Sequence, residues 1–225
     1  MQVYHPSFGH AIHVDATPLS DDPDTQVAQV IDMMLDYSDA DSKTPELYSD
    51  ALRGCALGGG DCLSGNFQDV KNTITFVQDE DTAEPFSAWL KQTHDGDSAP
   101  EVLVRPLDMR RMAYPQGDCD CFATTLRARL LALGIPAGFV TVAVDPEDPT
   151  RFSHVYNVAD CSGGKCGPMW SGRVALDSSH GEYPGWECPN PFGKRQEWHS
   201  GSGWRMLAGI ALVAAVGYVA WRMYA

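Results

Sequence analysis

Three residues are of the types, and in the order, that nucleophilic acyl chemistry requires: Cys119, His154 and Asp177. A thiol becomes an effective nucleophile when its pKa falls, a base takes its proton and a third group holds that base in one tautomer. Cys119 lies in the run Gly117-Asp118-Cys119-Asp120-Cys121-Phe122-Ala123, at the predicted start of a helix. Unpaired N–H groups and the positive dipole end are expected to favour a thiolate there and to supply part of an oxyanion hole. Gly117 permits close backbone approach just before the helix. His154 opens a predicted strand, and Asp177 ends the following one. Antiparallel neighbours set a His and an Asp side by side on one face, where Asp177 accepts the second imidazole N–H. Such a trio attacks a carboxamide or peptide carbonyl.

A second thiol stands close by. Cys119 and Cys121 are two residues apart, so on a helix they point about 200° away from each other. Both cannot face His154, and Cys121 is expected to pack sideways beside Phe122. Gln116 and Asp120 are the candidates for oxyanion or substrate contacts, although a loop Gln before a helix is the plainer reading of Gln116. Tyr114 and Trp170 are candidates to line a cleft or, more simply, to pack. For Cys55, Cys62, Cys161, Cys166 and Cys188 free thiols are the default expectation. A Cys161–Cys166 hairpin disulfide and a zinc half-site completed by Cys188 are the alternatives. His180 reads as a polar loop residue.

The residues around Cys119 continue through Leu130-Leu131-Ala132-Leu133-Gly134-Ile135-Pro136. Gly-x-Cys at a helix start, a Leu-rich helix and Gly-Ile-Pro together resemble the transglutaminase-like cysteine protease superfamily. Its second motif, a His early in a strand, is matched by Ser153-His154-Val155-Tyr156, and its third, an Asp ending a strand, by Ala175-Leu176-Asp177. The resemblance covers roughly residues 70 to 185 and is closest to the small forms of phage and prophage regions, which often read Gly-Asp-Cys-Asp-Asp-Phe. Cys121 stands here in place of the second Asp. The resemblance implies a papain-like core and acyl transfer through a thioester. Members of the superfamily hydrolyse peptides, cross-link proteins or have lost activity. The substrate is therefore expected to be a peptide or protein, with peptidoglycan stem peptides, a virion protein and a host protein all open. The alternative is a catalytically vestigial structural or adaptor protein of a virion or membrane complex. No cofactor is called for, because the proposed base and nucleophile are both protein groups.

The elements that must position the trio follow from periodicity. Asp22-Pro23 opens a helix whose apolar stripe is Val27, Val30, Ile31, Met34 and Leu35. Residues 45–57 form a second helix, broken by Gly58-Gly59-Gly60. A short β-prone run covers Ile74–Val77, and a third helix carries Phe122, Leu126, Leu130 and Leu133. Strands follow over Gly138–Val144, His154–Val158 and Val174–Asp177, and Ala11–Val14 reads as a strand or extended arm. A helix followed by several strands predicts an α+β fold with an antiparallel sheet packed on the helix. The expected organisation is an N-terminal helical extension over 1–65, a catalytic core over 66–185, a Gly/Pro/Trp-rich linker or wrap over 186–203, and a transmembrane helix over 204–225.

The chain has 225 residues and a formal net charge of -14. That excess, with one small basic cluster at Arg105, Arg110 and Arg111, argues against a nucleic-acid partner. The start of the sequence shows no basic stretch followed by an apolar run, which favours a reducing, cytosolic origin over secretion. Met206–Trp221 is uncharged, and out to Tyr224 its helical length approaches the roughly 30 Å hydrocarbon core. Trp204, Trp221 and Tyr224 suit an aromatic belt. Lys194, Arg195 and Arg205 precede this segment and only Arg222 follows, which places the catalytic domain on the cytoplasmic or virion-interior side. Removing residues 204–225 is expected to leave a soluble, folded domain. Size-exclusion chromatography and circular dichroism of the truncated chain test this, and aggregation or unfolding would make the segment a core helix.

Overall fold

The computed structural model describes residues 2–5, 10–13, 19–79 and 101–200. The expected span over 204–225 lies outside these residues, and among the described residues no helix is long and apolar enough to cross a membrane. The chain forms a mixed α+β fold. Three helices, α1 (Pro23–Asp41), α2 (Pro45–Leu57) and α3 (Cys62–Thr73), follow one another. They are followed by the short α4 (Pro106–Met109) and by α5 (Cys119–Ala132). A β1–β2 hairpin (Gln2–His5, His10–His13) precedes them. Strands β3 (Thr75–Phe76) and β4 (Gln116–Gly117) pair in parallel. The main sheet is antiparallel and contains β5 (Ala137–Val142), β6 (His154–Asp160), β7 (Arg173–Leu176) and β8 (Arg195–Trp198), in the order β7-β6-β5-β8.

Local chemistry starts the helices. Asp22 Oδ2 accepts from Thr25 N at 2.9 Å, Thr44 Oγ1 from Leu47 N at 3.4 Å, and Asp61 Oδ1 from Ser64 N at 3.0 Å. Pro23 and Pro45 occupy the first helical positions, where the missing N–H costs nothing. Gly134, at φ 71°, ends the turn after α5 before Pro136.

α5 is the hub. It is buried continuously from Asp120 to Leu130. One side of it packs with Leu63, Phe67 and Val70 of α3 and with Val174 and Leu176 of β7. Nearer the site, Ala123 joins Val30, Ile31 and Met34 of α1, Phe139 of β5, Val155 of β6 and Trp198 of β8. The other sheet face carries Val140, Val142, Tyr156 and Val158, flanked by Ala175 and Cys188. Alternation along β6 therefore sends Val155, Asn157 and Ala159 toward α5, and His154, Tyr156 and Val158 away from it.

Polar contacts lock the hub. Arg127, with a side chain 2 % exposed, donates to Ala137 O at 2.9 Å and to Asp39 Oδ1 at 2.8 Å. It also reaches Ser38 Oγ and Ser200 Oγ. Arg129 pairs with Asp69, Asp69 with Arg53, Arg53 with Asp50, and Asp50 with Arg110, joining α5, α3, α2 and the residue after α4. The basic cluster seen in the sequence is thus engaged, with Arg105 on Asp41 and Arg111 on Asp108. Helices α2 and α3 cross so closely that a Cβ on Gly65 would lie 1.9 Å from Gly54 O.

Three features depart from expectation. α3 was not foreseen, although Asp61 caps it and Leu63, Phe67 and Val70 mark its face. Residues 186–203, expected as a linker or wrap, contribute β8 to the sheet beside β5. Four cysteines expected as free thiols form disulfides, Cys55–Cys62 across the α2–α3 turn and Cys161–Cys166 after β6. The folded chain brings those pairs together, which spacing alone could not establish.

Asp39→Ala is expected to destabilise the fold by about 3 kcal/mol, because it strips the main countercharge from a buried guanidinium. Asp24→Ala, which removes an exposed partner of Lys194, is expected to cost at most about 1 kcal/mol. Urea unfolding of the two variants checks the ordering.

Candidate active site

The site is built where α5 begins and β6 and β7 meet. Asp118 caps α5, with its Oδ1 accepting from Asp120 N at 3.3 Å. The β3–β4 pairing holds the preceding residues, with Val77 N donating to Gly117 O at 3.0 Å. A Cβ on Gly117 would stand 2.5 Å from Cys121 Cβ, so the expected close approach is real and requires glycine. Cys119 is then the first residue of α5 and partly buried. Cys119 packs against the cluster that contains Val155, which sets it beside the start of β6.

His154 and Asp177 meet as expected. His154 Nε2 lies 2.7 Å from Asp177 Oδ2, with side-chain exposures of 6 % and 0 %. The register explains the meeting: Asn157 pairs with Leu176, so Asp177 falls across from Tyr156, on the face that carries His154. Asp177 Oδ1 accepts from Ser179 Oγ and from His180 N, both at 2.9 Å. Burial alone would raise the Asp177 pKa, but the hydrogen bonds from His154, His180 and Ser179 hold it below its ordinary value. Among the described residues His154 Nδ1 makes no hydrogen bond, and the Asp177 bond fixes Nε2 as the other, engaged nitrogen.

Cys119 departs from expectation in its electrostatics. Burial pushes its thiol well above the ordinary value, and the charges of Asp118, Glu101 and Asp177 add to that; only the Val155 hydrogen bond opposes them. The helix end therefore does not produce a resting thiolate. Cys121 lies sideways as expected: its sulfur accepts from Val104 N at 3.3 Å and donates to Val102 O at 3.4 Å. Burial also pushes this thiol up.

The secondary candidates divide. Gln116 is half-buried on β4, next to Gly117. Asp120 is 3 % exposed and clusters with Asp118 and Cys121, and among the described residues neither of its carboxyl oxygens has a hydrogen-bond partner. Burial, reinforced by Cys121 and Asp118, raises its pKa well above the ordinary value. Tyr114 is 75 % exposed. Trp170 is committed elsewhere, donating from Nε1 to the Asp61 carboxylate at 2.9–3.0 Å, beside the disulfides. The zinc site imagined from Cys161, Cys166 and Cys188 is not formed, because the first two are bonded to each other.

Sequence reasoning missed three contributors: the turn at Ser179 and His180, the ring of Phe76, and Cys188. Ser179 and His180 belong to the turn that clamps Asp177, and the His180 ring stands edge-on to His154 at 4.9 Å. The ring of Phe76 also stands edge-on to His180, at 5.0 Å. The Asp-Ser-Ser-His-Gly run at 177–181 was the available signal, since an Asp readily caps its own following turn. Cys188 is the third: its sulfur, a His154 ring nitrogen and an Asp177 oxygen lie within 4.8 Å of one another.

No protein-family model matches this chain, and neither does any curated protein or solved structure.

The raised thiol has a measurable consequence. A raised pKa means that the folded protein holds the Cys119 proton at pH values where the unfolded chain has begun to lose it. Iodoacetamide labelling of Cys119 is expected to be slower in the folded protein than in urea, and to accelerate only as pH rises through and beyond 9.0, its ordinary pKa. Rapid labelling at mildly acidic pH, located by peptide mass spectrometry, would show that the helix end dominates instead.

Proposed function

We propose that the chain is a thiol acyl-transfer enzyme of the transglutaminase-like cysteine protease type, with a papain-like core, acting on a peptide or protein carbonyl. The observation that carries this reading is the buried 2.7 Å contact between His154 and Asp177, placed where β6 passes the first residue of α5. Asp177 orients the imidazole through Nε2 and leaves Nδ1 as the base. His154 is the first residue of β6, so in this scheme its ring reaches round the strand end, and Cys119 gives its proton to Nδ1 as its sulfur attacks the carbonyl carbon. The carbon–nitrogen bond then breaks, the amine leaves with that proton, and a thioester remains. Water completes a peptidase or amidase cycle, and an amine completes a transfer.

The C-terminal segment 204–225 is proposed to hold the domain at a membrane, and the resemblance to phage-type forms makes a virion or envelope setting the leading one. Two disulfides favour folding in an oxidising compartment and weigh against the reducing cytoplasm that the flanking charges suggest. The engagement of Arg105, Arg110 and Arg111 by carboxylates supports the absence of a nucleic-acid partner.

The second reading, a vestigial scaffold in a virion or membrane complex, is favoured by the raised Cys119 thiol. Turnover separates the two. Incubation with a peptide and carboxamide library, read by mass spectrometry, is expected to yield hydrolysed or transamidated products. Cys119→Ala and His154→Ala are each expected to abolish them. Asp177→Asn should leave a residue of activity on the order of 10⁻⁴ of the parent, because the base remains but its tautomer is no longer fixed. Cys121→Asp should retain most turnover. Products that persist in Cys119→Ala would remove this cysteine from the reaction.

A further inference from the structure

Cys188 takes no part in the acyl-transfer scheme, yet it stands at that scheme's base. A His154 ring nitrogen, an Asp177 oxygen and the Cys188 sulfur lie within 4.8 Å of one another. Among the described residues two other clusters of potential ligands occur, Asp118–Asp120–Cys121 and Asp79–Glu101–Asp118, and neither contains a histidine. We propose that His154, Asp177 and Cys188 bind a thiophilic divalent cation of the zinc type, and that occupation of this site silences the acyl-transfer reaction. The second half of the proposal rests on the thiol-enzyme reading; the first half does not.

Zinc prefers nitrogen, sulfur and oxygen donors in a tetrahedron, at about 2.0–2.3 Å each, which sets neighbouring donors about 3.3–3.8 Å apart. The present trio needs only small adjustments to reach that spacing. The 2.7 Å contact between His154 and Asp177 must open slightly, and the sulfur must close in. Cys188 is free to do so: it is partly buried, and its thiol has one long contact, to Pro189 O at 3.7 Å. The surroundings are already those of a metal carboxylate, because Ser179 Oγ and His180 N bind Asp177 Oδ1 and aim the other oxygen at His154. Three protein donors leave a fourth position for water.

Silencing follows from proton placement. In the acyl-transfer scheme Nε2 carries the imidazole proton toward Asp177, and Nδ1 has the lone pair. A cation on Nε2 takes that nitrogen's lone pair, so the ring proton moves to Nδ1. The Cys188 proton passes to solvent as the thiolate binds the metal. With Nδ1 protonated, the Cys119 proton has no acceptor. No electron transfer is involved.

The test uses the purified full chain, with its disulfides intact, titrated with zinc and separately with cobalt(II). Calorimetry is expected to show one zinc ion bound, and cobalt to give a sulfur-to-metal charge-transfer band in the near ultraviolet. Cys188→Ser should remove the band and weaken zinc binding by more than the roughly 10–100-fold that loss of an outer-shell partner costs. Cys188→His should restore zinc binding without the band, which shows that the altered loop still folds. Cys119→Ala should keep both the band and the affinity, so the metal measurement does not depend on turnover. Where turnover is measurable, its ratio with and without zinc should fall in the parent and stay near unity in Cys188→Ser. A band lost in Cys119→Ala, or zinc affinity unchanged in Cys188→Ser, overturns the site. Absence of turnover together with an intact cobalt band would reject the enzyme reading and leave the metal site standing.

Discussion

A guanidinium enclosed at the middle of α5 is the constraint on which the remainder of the fold depends. Arg127 cannot be hydrated where it lies, so α1, the start of β5 and Ser200 beyond β8 must each supply an acceptor. Burial pulls its pKa down from the ordinary value, while Asp39 pulls the other way and keeps the charge. A charge in that position tolerates few alternative packings, since each alternative strands it without acceptors. The helix direction set there also determines where its first residue, Cys119, emerges.

The molecule divides its rigidity unevenly along α5. Near its C-terminal end lie the two disulfides, with Leu63 N bonded to Cys166 O and Trp170 bonded to Asp61. The close crossing of α2 and α3 belongs to the same region. At its N-terminal end the chemistry depends on hydrogen bonds: the Asp118 cap, the short β3–β4 pairing and the turn around Asp177. Covalent bracing thus lies at one end of the helix and hydrogen-bonded contacts at the other.

Electrostatics at the site work in two directions. Hydrogen bonds from three donors keep Asp177 ionised in spite of burial, so it can orient His154. Burial and neighbouring charges push Cys119 and Asp120 the other way, above their ordinary values. A helix terminus offers about half an elementary charge, and its effect fades within a turn. Enclosure together with the adjacent Asp118 outweighs it here.

The sequence alone was enough to place α1, α2 and α5, because their caps and apolar spacing are local properties. It also placed β5, β6 and β7 within a few residues, and it singled out His154 and Asp177 as a pair, since strand order and a period of two decide which side chains share a face. α3 went unseen although its cap and stripe are equally local, because the glycines before it read only as a breaker. β8 was hidden for a different reason: Arg195-Gln196-Glu197-Trp198 has little alternation, and it becomes a strand because β5 offers it an edge. Disulfide partners, the clamp of Ser179 and His180 on Asp177, and the approach of Cys188 to His154 all join residues through loops. The raised Cys119 thiol belongs with them. Desolvation and the summed charge of Asp118, Glu101 and Asp177 depend on distances in space, and only the packed chain defines those distances.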